Sequence, residues 1–272
     1  MKKIIFALMI LTLSIDVHAL TKNEKAFLEA AKNGDIETIR YLINSEVDID
    51  VQDEYGATAL IRSSLFGHFD IVKLLVSEGA YIDIKNNNGD TALMIASSNG
   101  NLNIVKLLVS EGAYIYTKNN YSGLTAIDYS KSPEILTFFM DIDPYYIYNN
   151  KKILTSQVLF GTRENIKILL DKGIDVNMKS EYGYTSLMEA SRYMKADIIK
   201  LLLEYGADVN LQNNDGMTAL MYACFSKIPN IVKLLLDYGA DRSIKNKYGQ
   251  TAMDIAKKEK NYEIIGILDS YK

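Results

Sequence analysis

The residue types that most often carry catalysis are scarce in this chain. Its 272 residues include two histidines and one cysteine, Cys224. Only His68 and Cys224 of these lie beyond the first nineteen residues, and two such ligands cannot assemble a zinc site of the histidine and cysteine kind. The sequence also shows no nucleophile paired with a base and no carboxylate pair at a spacing typical of an active site. We therefore expect a protein that is not an enzyme and that binds no cofactor and no metal ion.

The few candidate residues are better explained by structure than by chemistry. Cys224 lies in the segment TALMYAC, where related segments have serine. We interpret it as a small buried side chain, because a reactive thiol needs exposure and a lowered pKa. His68 follows a glycine between two apolar segments and is expected to serve a turn between helices. Asp128 and Asp254 share one position in segments far apart, which favours helix capping or a place facing a groove over an acid/base pair.

These residues belong to segments that repeat along the chain. NNNGDTALMIA begins at Asn86, and NNDGMTALMYA begins at Asn213. A glycine of this phrase recurs every 33 or 34 residues, apart from one interval of 60 near the middle. The glycines are Gly56, Gly89, Gly123, Gly183, Gly216 and Gly249. A period of this length predicts a solenoid of stacked modules.

Each module is predicted to contain a turn, a short helix, a second helix and a loop. In the module from Asn213 to Asp241, Thr218 stands where a helix N-cap is needed, and the first helix should run from Ala219 to Phe225. Pro229 falls where a second helix can begin, and Gly239 should end that helix in the left-handed conformation. The residues expected to face inward are Ile231, Val232, Leu234 and Leu235.

With these phrases, the chain resembles the ankyrin repeats from about residue 23 to its C-terminus. The family has a β-turn and two helices every 33 residues, with a T-P-L-H-x-A phrase. The matching segments are TALIRSS, TALMIAS, TAIDYSK, TSLMEAS, TALMYAC and TAMDIAK. The family's histidine is absent from all of them. The resemblance implies an all-α solenoid of stacked helix-turn-helix modules joined by β-turn hairpin loops.

The N-terminus differs from the modules. Lys2 and Lys3 precede an apolar run from Ile4 to Leu13, and Val-His-Ala follows, which predicts a secretory signal peptide cleaved after Ala19. The alternative is a membrane anchor, although the run is shorter than the ~20 residues that span a bilayer. We interpret the chain as an exported, bacterial member of the family, found in the periplasm or secreted.

The periodic pattern breaks between Ser130 and Lys152, a segment that contains Pro133 and Pro144 and lacks the turn phrase. We expect one continuous arc that bends near Tyr145; the alternative is two short arrays joined by a hinge. The predicted divisions are a signal peptide at 1–19, an N-terminal capping repeat at 20–50, a first array at 51–140, a degenerate tyrosine-rich break at 141–152, a second array at 153–243 and a C-terminal capping repeat at 244–272.

The resemblance also implies where a partner binds, because in the family the hairpin tips and first helices line a concave groove that binds other proteins. Tyrosine and arginine, which are enriched at binding hot spots, stand at several of these positions. The predicted partner-binding residues are Tyr55, Leu65, Phe66, Asp90, Asn99, Tyr182, Tyr184, Arg192, Tyr193, Met217, Phe225 and Tyr248.

These interpretations predict an exported, non-catalytic scaffold, expected to be a monomer, that binds a protein partner through its concave face. The alternative is an accessory or regulatory subunit of an envelope enzyme, or of a membrane-tethered complex if the N-terminal segment is uncleaved. The formal net charge of −4 argues against nucleic acid as a partner, because phosphate binding needs a dense basic patch.

Overall fold

The computed structural model describes residues 20–271, and every regular element among them is a helix. The predicted all-α fold class is therefore confirmed. The predicted signal peptide, residues 1–19, lies outside the described residues. Within the described part of the chain, no helix has the length and apolar character that crossing a membrane requires.

Most of the helices follow each other in pairs, one pair to a module. The first eight in the described residues are α1 (Lys22–Asn33), α2 (Ile36–Asn44), α3 (Ala59–Phe66), α4 (Phe69–Ser77), α5 (Ala92–Asn99), α6 (Leu102–Ser110), α7 (Pro133–Ile142) and α8 (Pro144–Asn149). The next eight are α9 (Ile153–Phe160), α10 (Arg163–Asp171), α11 (Ser186–Arg192), α12 (Ala196–Glu204), α13 (Ala219–Phe225), α14 (Pro229–Asp237), α15 (Ala252–Lys258) and α16 (Tyr262–Ser270).

The chain divides into two compact units; Ala92 ends the first and Leu93 begins the second. Helices α1 to α4 belong to the first unit, and helices α6 to α16 belong to the second. The divisions expected from the sequence, at residues 50, 140, 152 and 243, stay predictions.

One regular module shows why these residues fold this way. Thr218 precedes α13, and its hydroxyl accepts a hydrogen bond from the amide of Met221 at 3.3 Å, which satisfies a donor that the first helical turn leaves unpaired. Pro229 begins α14 at a position that needs no amide hydrogen. Gly239 follows α14 with a φ of 85°. The predicted bounds Ala219–Phe225 and the roles of these residues are confirmed.

The inward face of α14 differs from the prediction at one residue. Ile231, Val232 and Leu235 are buried as expected, but Leu234 is only half-buried, and Leu236 is buried instead. The four buried side chains form two pairs spaced four residues apart, so they lie on one side of the helix. Leu234 falls at the edge of that stripe.

Within each unit, first helices pack on first helices and second helices on second helices. In the first unit, α1 packs against α3 and α2 against α4; in the second, α9, α11, α13 and α15 pack in succession. His68 links two modules of the first unit, because its Nε2 lies 2.9 Å from the carbonyl oxygen of Lys32. Its ring fills the space beside Gly34, where a Cβ would lie 2.8 Å from Cε1. The structural interpretation of His68 is confirmed.

Within the second unit, the short helix α8 stands where the repeated turn is missing. The phrase TAIDYS forms a turn over residues 126–129 rather than a first helix, and α8 occupies the interval where a hairpin is missing. Asp143 caps α8 by accepting a hydrogen bond from the amide of Tyr146 at 2.9 Å. Its carboxylate also accepts a hydrogen bond from the hydroxyl of Tyr116. The hydrogen bond to the carboxylate raises the pKa of Tyr116 to about 12 and lowers the pKa of Asp143.

Polar side chains with little or no exposure join this middle segment to the next module. We call this set the polar seam: Asp128, Asn150, Ser156, Gln157 and Asn165. One carboxylate oxygen of Asp128 accepts hydrogen bonds from the amide and the hydroxyl of Thr125, each at 2.9 Å. The other accepts from Asn150 Nδ2 at 2.9 Å and from Ser156 Oγ at 3.0 Å. Asp254 bonds to the amide and hydroxyl of Thr251 in the same way at the start of α15, so the helix-capping interpretation is confirmed for Asp254, whereas Asp128 closes a turn instead of a helix.

The other two members of the polar seam bind backbone carbonyls. Gln157 Nε2 donates to the carbonyl oxygens of Ile127 at 3.3 Å and Asp128 at 3.2 Å. Asn165 Nδ2 donates to the carbonyl oxygen of Ser130 at 2.7 Å and to Gln157 Oε1 at 2.8 Å. Both amide side chains are fully buried. Here side chains hold two modules together where no pair of repeated turns is present.

Candidate functional site

Three of the predicted tyrosines lie at the tips of the repeated turns, just before the turn glycine, and their side chains are exposed. Tyr55 is 67 % exposed, Tyr182 is 71 % exposed and Tyr248 is 72 % exposed. The carbonyl oxygen of Tyr55 accepts a hydrogen bond from the amide of Asn87 at 2.9 Å, and that of Tyr182 accepts from the amide of Asn214 at 3.1 Å. The next turn therefore fixes the backbone at these two tips, and the phenol rings face solvent.

The predicted residues at the ends of the first helices are also exposed. They include large apolar side chains that do not pack into the core. In the first unit these residues are Leu65 and Phe66, and in the second unit they are Asn99, Arg192, Tyr193 and Phe225. An exposed aromatic or aliphatic side chain beside a turn tip adds apolar contact area to the same face. We call the exposed turn tips and first-helix ends of each unit its tip face.

Three predicted residues are half-buried, and neighbouring contacts explain why. Asp90 and Met217 each close a turn, because their backbone groups exchange hydrogen bonds with Asn86 and Asn213, respectively. The hydroxyl of Tyr184 accepts a hydrogen bond from the hydroxyl of Tyr222 at 3.0 Å, and the two ring centroids lie 5.8 Å apart. Tyr184 thus serves packing between modules as well as lining the face.

A groove of 530 Å³ lies on the tip face of the second unit. It brings together three predicted residues, Tyr182, Tyr184 and Arg192, with the ends of α9 and the middle of α11. Phe160 and Leu159 supply apolar walls, and Phe160 is 43 % exposed. The other predicted residues of the second unit, Asn99, Tyr193, Met217, Phe225 and Tyr248, do not line this groove.

Glu189 lies within this groove, which we call the Glu189 groove. Its Oε2 atom is buried and accepts no hydrogen bond from any described residue. Burial raises the pKa of this carboxyl, and the nearby positive charge of Arg192 opposes that shift. A buried carboxylate oxygen without a donor is costly in a folded protein, and burial of this carboxyl favours its neutral form.

The other charged residues that line the groove have partners. Lys152 Nζ lies 3.9 Å from a carboxylate oxygen of Glu181, and Asp215 forms an ion pair with Lys247. The Arg192 guanidinium lies over the ring of Tyr193, 5.4 Å from its centroid. Among the described residues, none of these cations forms an ion pair with Glu189, although the charge of Arg192 acts on it.

Glu189 and the apolar wall were not predicted from the sequence. Glu189 stands four residues after the threonine of its phrase, and the residues at that position across the modules are Arg62, Ile95, Tyr129, Glu189, Tyr222 and Ile255. Variation at one position of an otherwise constant phrase is the signal that could have found it. Phe160 belongs to the module without the phrase, so the repeat gives no such signal there.

Cys224 is fully buried, and burial raises the pKa of its thiol to about 12. A thiol with so high a pKa stays protonated, which confirms its interpretation as a structural residue. Across residues 20–271, no group of three or more histidine, cysteine, aspartate or glutamate side chains has the arrangement of a metal site.

The fold is similar to that of solved ankyrin-repeat domains. The human ASB11 ankyrin repeat domain matches with a TM-score of 0.51 and 24 % identity, over 88 % of this chain and 96 % of that one. The ankyrin repeat domain of Bcl-3, a member of the IkappaB family, matches with a TM-score of 0.52 and 23 % identity, over 90 % of this chain and 98 % of that one. At these identities the likeness supports the fold alone.

Sequence models of the family match most of the chain. No curated protein sequence matches it. The model for ankyrin repeats (3 copies) matches residues 4–86, 27–119, 78–147 and 205–271, and the model for ankyrin repeats (many copies) matches residues 169–223. The chain therefore belongs to the ankyrin-repeat family.

Proposed function

We propose that this chain is an exported, non-catalytic scaffold that binds a protein partner through its tip face. Ankyrin repeats are generally protein–protein interaction scaffolds, and the proteins that contain them are generally non-catalytic. The proposal adds to that general role a particular surface on this chain, an exported location and a monomeric state.

One observation carries the choice of surface: large aromatic side chains project from backbones that the fold holds in place. Tyr182 and Phe225 are exposed although neither is needed by the core, and the turn beneath Tyr182 is fixed by the hydrogen bond from Asn214. Rigid aromatic side chains lose little conformational entropy on binding and are enriched at hot spots. Such a surface favours a protein partner.

The partner can be sought with the mature chain immobilised against the envelope and medium of the exporting cell. Once a partner is identified, its affinity should fall at least about 30-fold for the combined variant Tyr182→Ala, Tyr193→Ala and Phe225→Ala, because truncation of one hot spot costs ~2 kcal/mol or more. Tyr184 is left unchanged in this variant, because its hydroxyl bonds to Tyr222.

The matched control removes three tyrosines that are at least as exposed but lie outside the tip face: Tyr81→Ala, Tyr145→Ala and Tyr262→Ala. Both variants lose aromatic surface, so a difference between them reports the position of the contact. Loss of the partner from the control variant, with full affinity in the tip variant, would show that another surface binds.

Export has its own support and its own test. Lys2 and Lys3, the apolar run from Ile4 to Leu13 and the ending at Ala19 favour cleavage before Leu20. Mass spectrometry of the protein from the periplasm and medium should give a chain that begins at Leu20. A full-length chain in the membrane fraction would instead support the tethered alternative, and a full-length chain in the cytoplasm would contradict export.

The alternative role is that of an accessory or regulatory subunit of an envelope enzyme, which could use the same face. It makes a distinct prediction, because the identified partner would then be an enzyme whose turnover changes when the mature chain is added. Unchanged turnover of an enzyme partner, or a partner without activity, would favour the simple scaffold.

A further inference from the structure

We propose that the Glu189 groove receives a lysine or arginine side chain of the partner protein. This inference rests on the proposed function, namely that the tip face binds a protein, and it adds the chemistry of one partner residue. The basic side chain would place its charged end against Glu189 and its methylene groups along the aromatic wall.

The first argument is the state of the Glu189 carboxylate. Its Oε2 atom is buried without a hydrogen-bond donor, and the residue lines an open groove of 530 Å³. A buried carboxylate is stabilised when a cation and its N–H donors supply both charge and hydrogen bonds. The raised pKa of Glu189 agrees with a group that lacks such a partner in the unbound chain.

The second argument is that no cation of the described residues forms an ion pair with Glu189, although the charge of Arg192 is close enough to lower the pKa of its carboxyl. Lys152 approaches Glu181, and Lys195 Nζ donates to the carbonyl oxygen of Val158 at 2.6 Å. Arg192 lies over the ring of Tyr193. These basic side chains have other contacts, so a direct hydrogen bond to Glu189 is left for a cation of another molecule.

The third argument compares Glu189 with the polar residues at its position in other modules. Arg62 donates from Nε to Asp53 Oδ2 at 3.0 Å, and the hydroxyl of Tyr129 accepts from Asn119 Nδ2 at 2.8 Å. Tyr222 accepts from Asn213 Nδ2 at 3.0 Å and donates to Tyr184. The position thus normally provides a partner within the chain, and Glu189 is the exception among its polar members.

The fourth argument concerns the walls. Phe160, Tyr182 and Tyr184 line the groove beside the carboxylate. Lysine and arginine bury their methylene groups along apolar surface while the charged end finds a polar partner, and aromatic ring faces attract a cation. A neutral donor would fill the hydrogen bond but leave the charge of Glu189 uncompensated, so the combination of wall and carboxylate selects a basic side chain.

The test selects peptides from a random phage-displayed library on the immobilised mature chain. Peptides that the wild-type chain enriches should share a lysine or arginine at a fixed position. Glu189→Gln keeps the shape of the side chain and removes its charge, and it should weaken these peptides about 30-fold, as expected when one partner of a buried charge pair is removed. Thermal melting of the variant checks that the fold is intact.

The controls separate this inference from the proposed function. Glu204→Gln removes an exposed carboxylate that is paired with Lys200 outside the groove and should change affinity by less than about threefold, as for an exposed ion pair. Replacing the shared basic residue of a peptide by norleucine should weaken its binding to the wild-type chain but have little effect on its binding to Glu189→Gln.

Three results would overturn the inference. The first is enrichment of peptides without a shared basic residue, the second is equal binding to the wild-type chain and Glu189→Gln, and the third is recovery of no peptide. If the combined tip variant loses the peptides while Glu189→Gln keeps them, the tip face still binds protein and only the basic residue is wrong. If both variants keep them, the tip-face proposal fails as well.

Discussion

The second unit joins neighbouring modules in two different ways. Between regular modules, groups of adjacent turns pair. The amide of Asn214 donates to the carbonyl oxygen of Tyr182, its side-chain Nδ2 donates to that of Glu181 at 3.2 Å, and the amide of Lys247 donates to that of Asp215 at 3.0 Å. Around α8, where one hairpin is missing, the buried and half-buried side chains of the polar seam connect the neighbouring modules instead. The first link repeats along the unit and lies at its surface, whereas the polar seam occurs once and lies inside.

This difference determines how each link tolerates change. Water can replace a side chain that bonds to an exposed turn, so the loss of one such contact is small. Inside the polar seam, each side chain satisfies other buried groups, and removing one leaves its partners without hydrogen bonds. The irregular segment around α8 is therefore stabilised by fewer contacts, and the loss of any one of them lowers the free energy of unfolding more.

The largest effect should come from Asn165→Ala in the polar seam. The change removes the donor that serves both the carbonyl oxygen of Ser130 and Gln157 Oε1, and we expect a loss of roughly 3 kcal/mol of unfolding free energy in urea melts. The matched control is Asn214→Ala, whose side chain donates to the exposed carbonyl of Glu181 and should cost less than about 1 kcal/mol. Equal losses would remove the distinction between the two links.

The sequence predicted the regular modules well because their signals are local. The 33-residue period, the threonine caps and the glycines with positive φ gave the first helix of the module around Thr218 at its observed bounds and the start of the second helix at Pro229. The polar seam could not be predicted in this way, because its members come from separate segments that meet only in the folded chain. TAIDYS resembles a regular first helix, yet Asp128 there takes part in a turn and in the polar seam.

The candidate site was predictable to a similar degree. Tip tyrosines such as Tyr182 follow from their place beside the turn glycine, and their exposure agrees with that position. The lack of an ion pair at Glu189 depends on where Lys152 and Arg192 direct their charges, which no spacing along the chain reveals.

An intermediate effect is expected for local opening in the middle segment. Helix α8 spans Pro144–Asn149 and exposes most of its side chains, whereas α9 carries two buried members of the polar seam. In native-state hydrogen exchange, amides of α8 should exchange at least about tenfold faster than those of α9, which corresponds to ~1.4 kcal/mol in opening free energy. Equal protection of the two helices would mean that the segment opens as one unit.

The smallest effect is expected at the tip face, where the link between turns uses the backbone of a tyrosine and leaves its ring free. Tyr182→Ala keeps the carbonyl oxygen that accepts from Asn214, so its unfolding free energy should stay within ~0.5 kcal/mol of the wild-type value. Tyr184→Ala provides the contrast, because it removes a half-buried ring and the acceptor for the Tyr222 hydroxyl, and it should cost about 1 kcal/mol or more. Urea melts of the two variants measure both changes side by side. A larger loss for Tyr182→Ala than for Tyr184→Ala would show that the exposed ring stabilises the turn, and the tip tyrosines could then no longer be regarded as free for a partner.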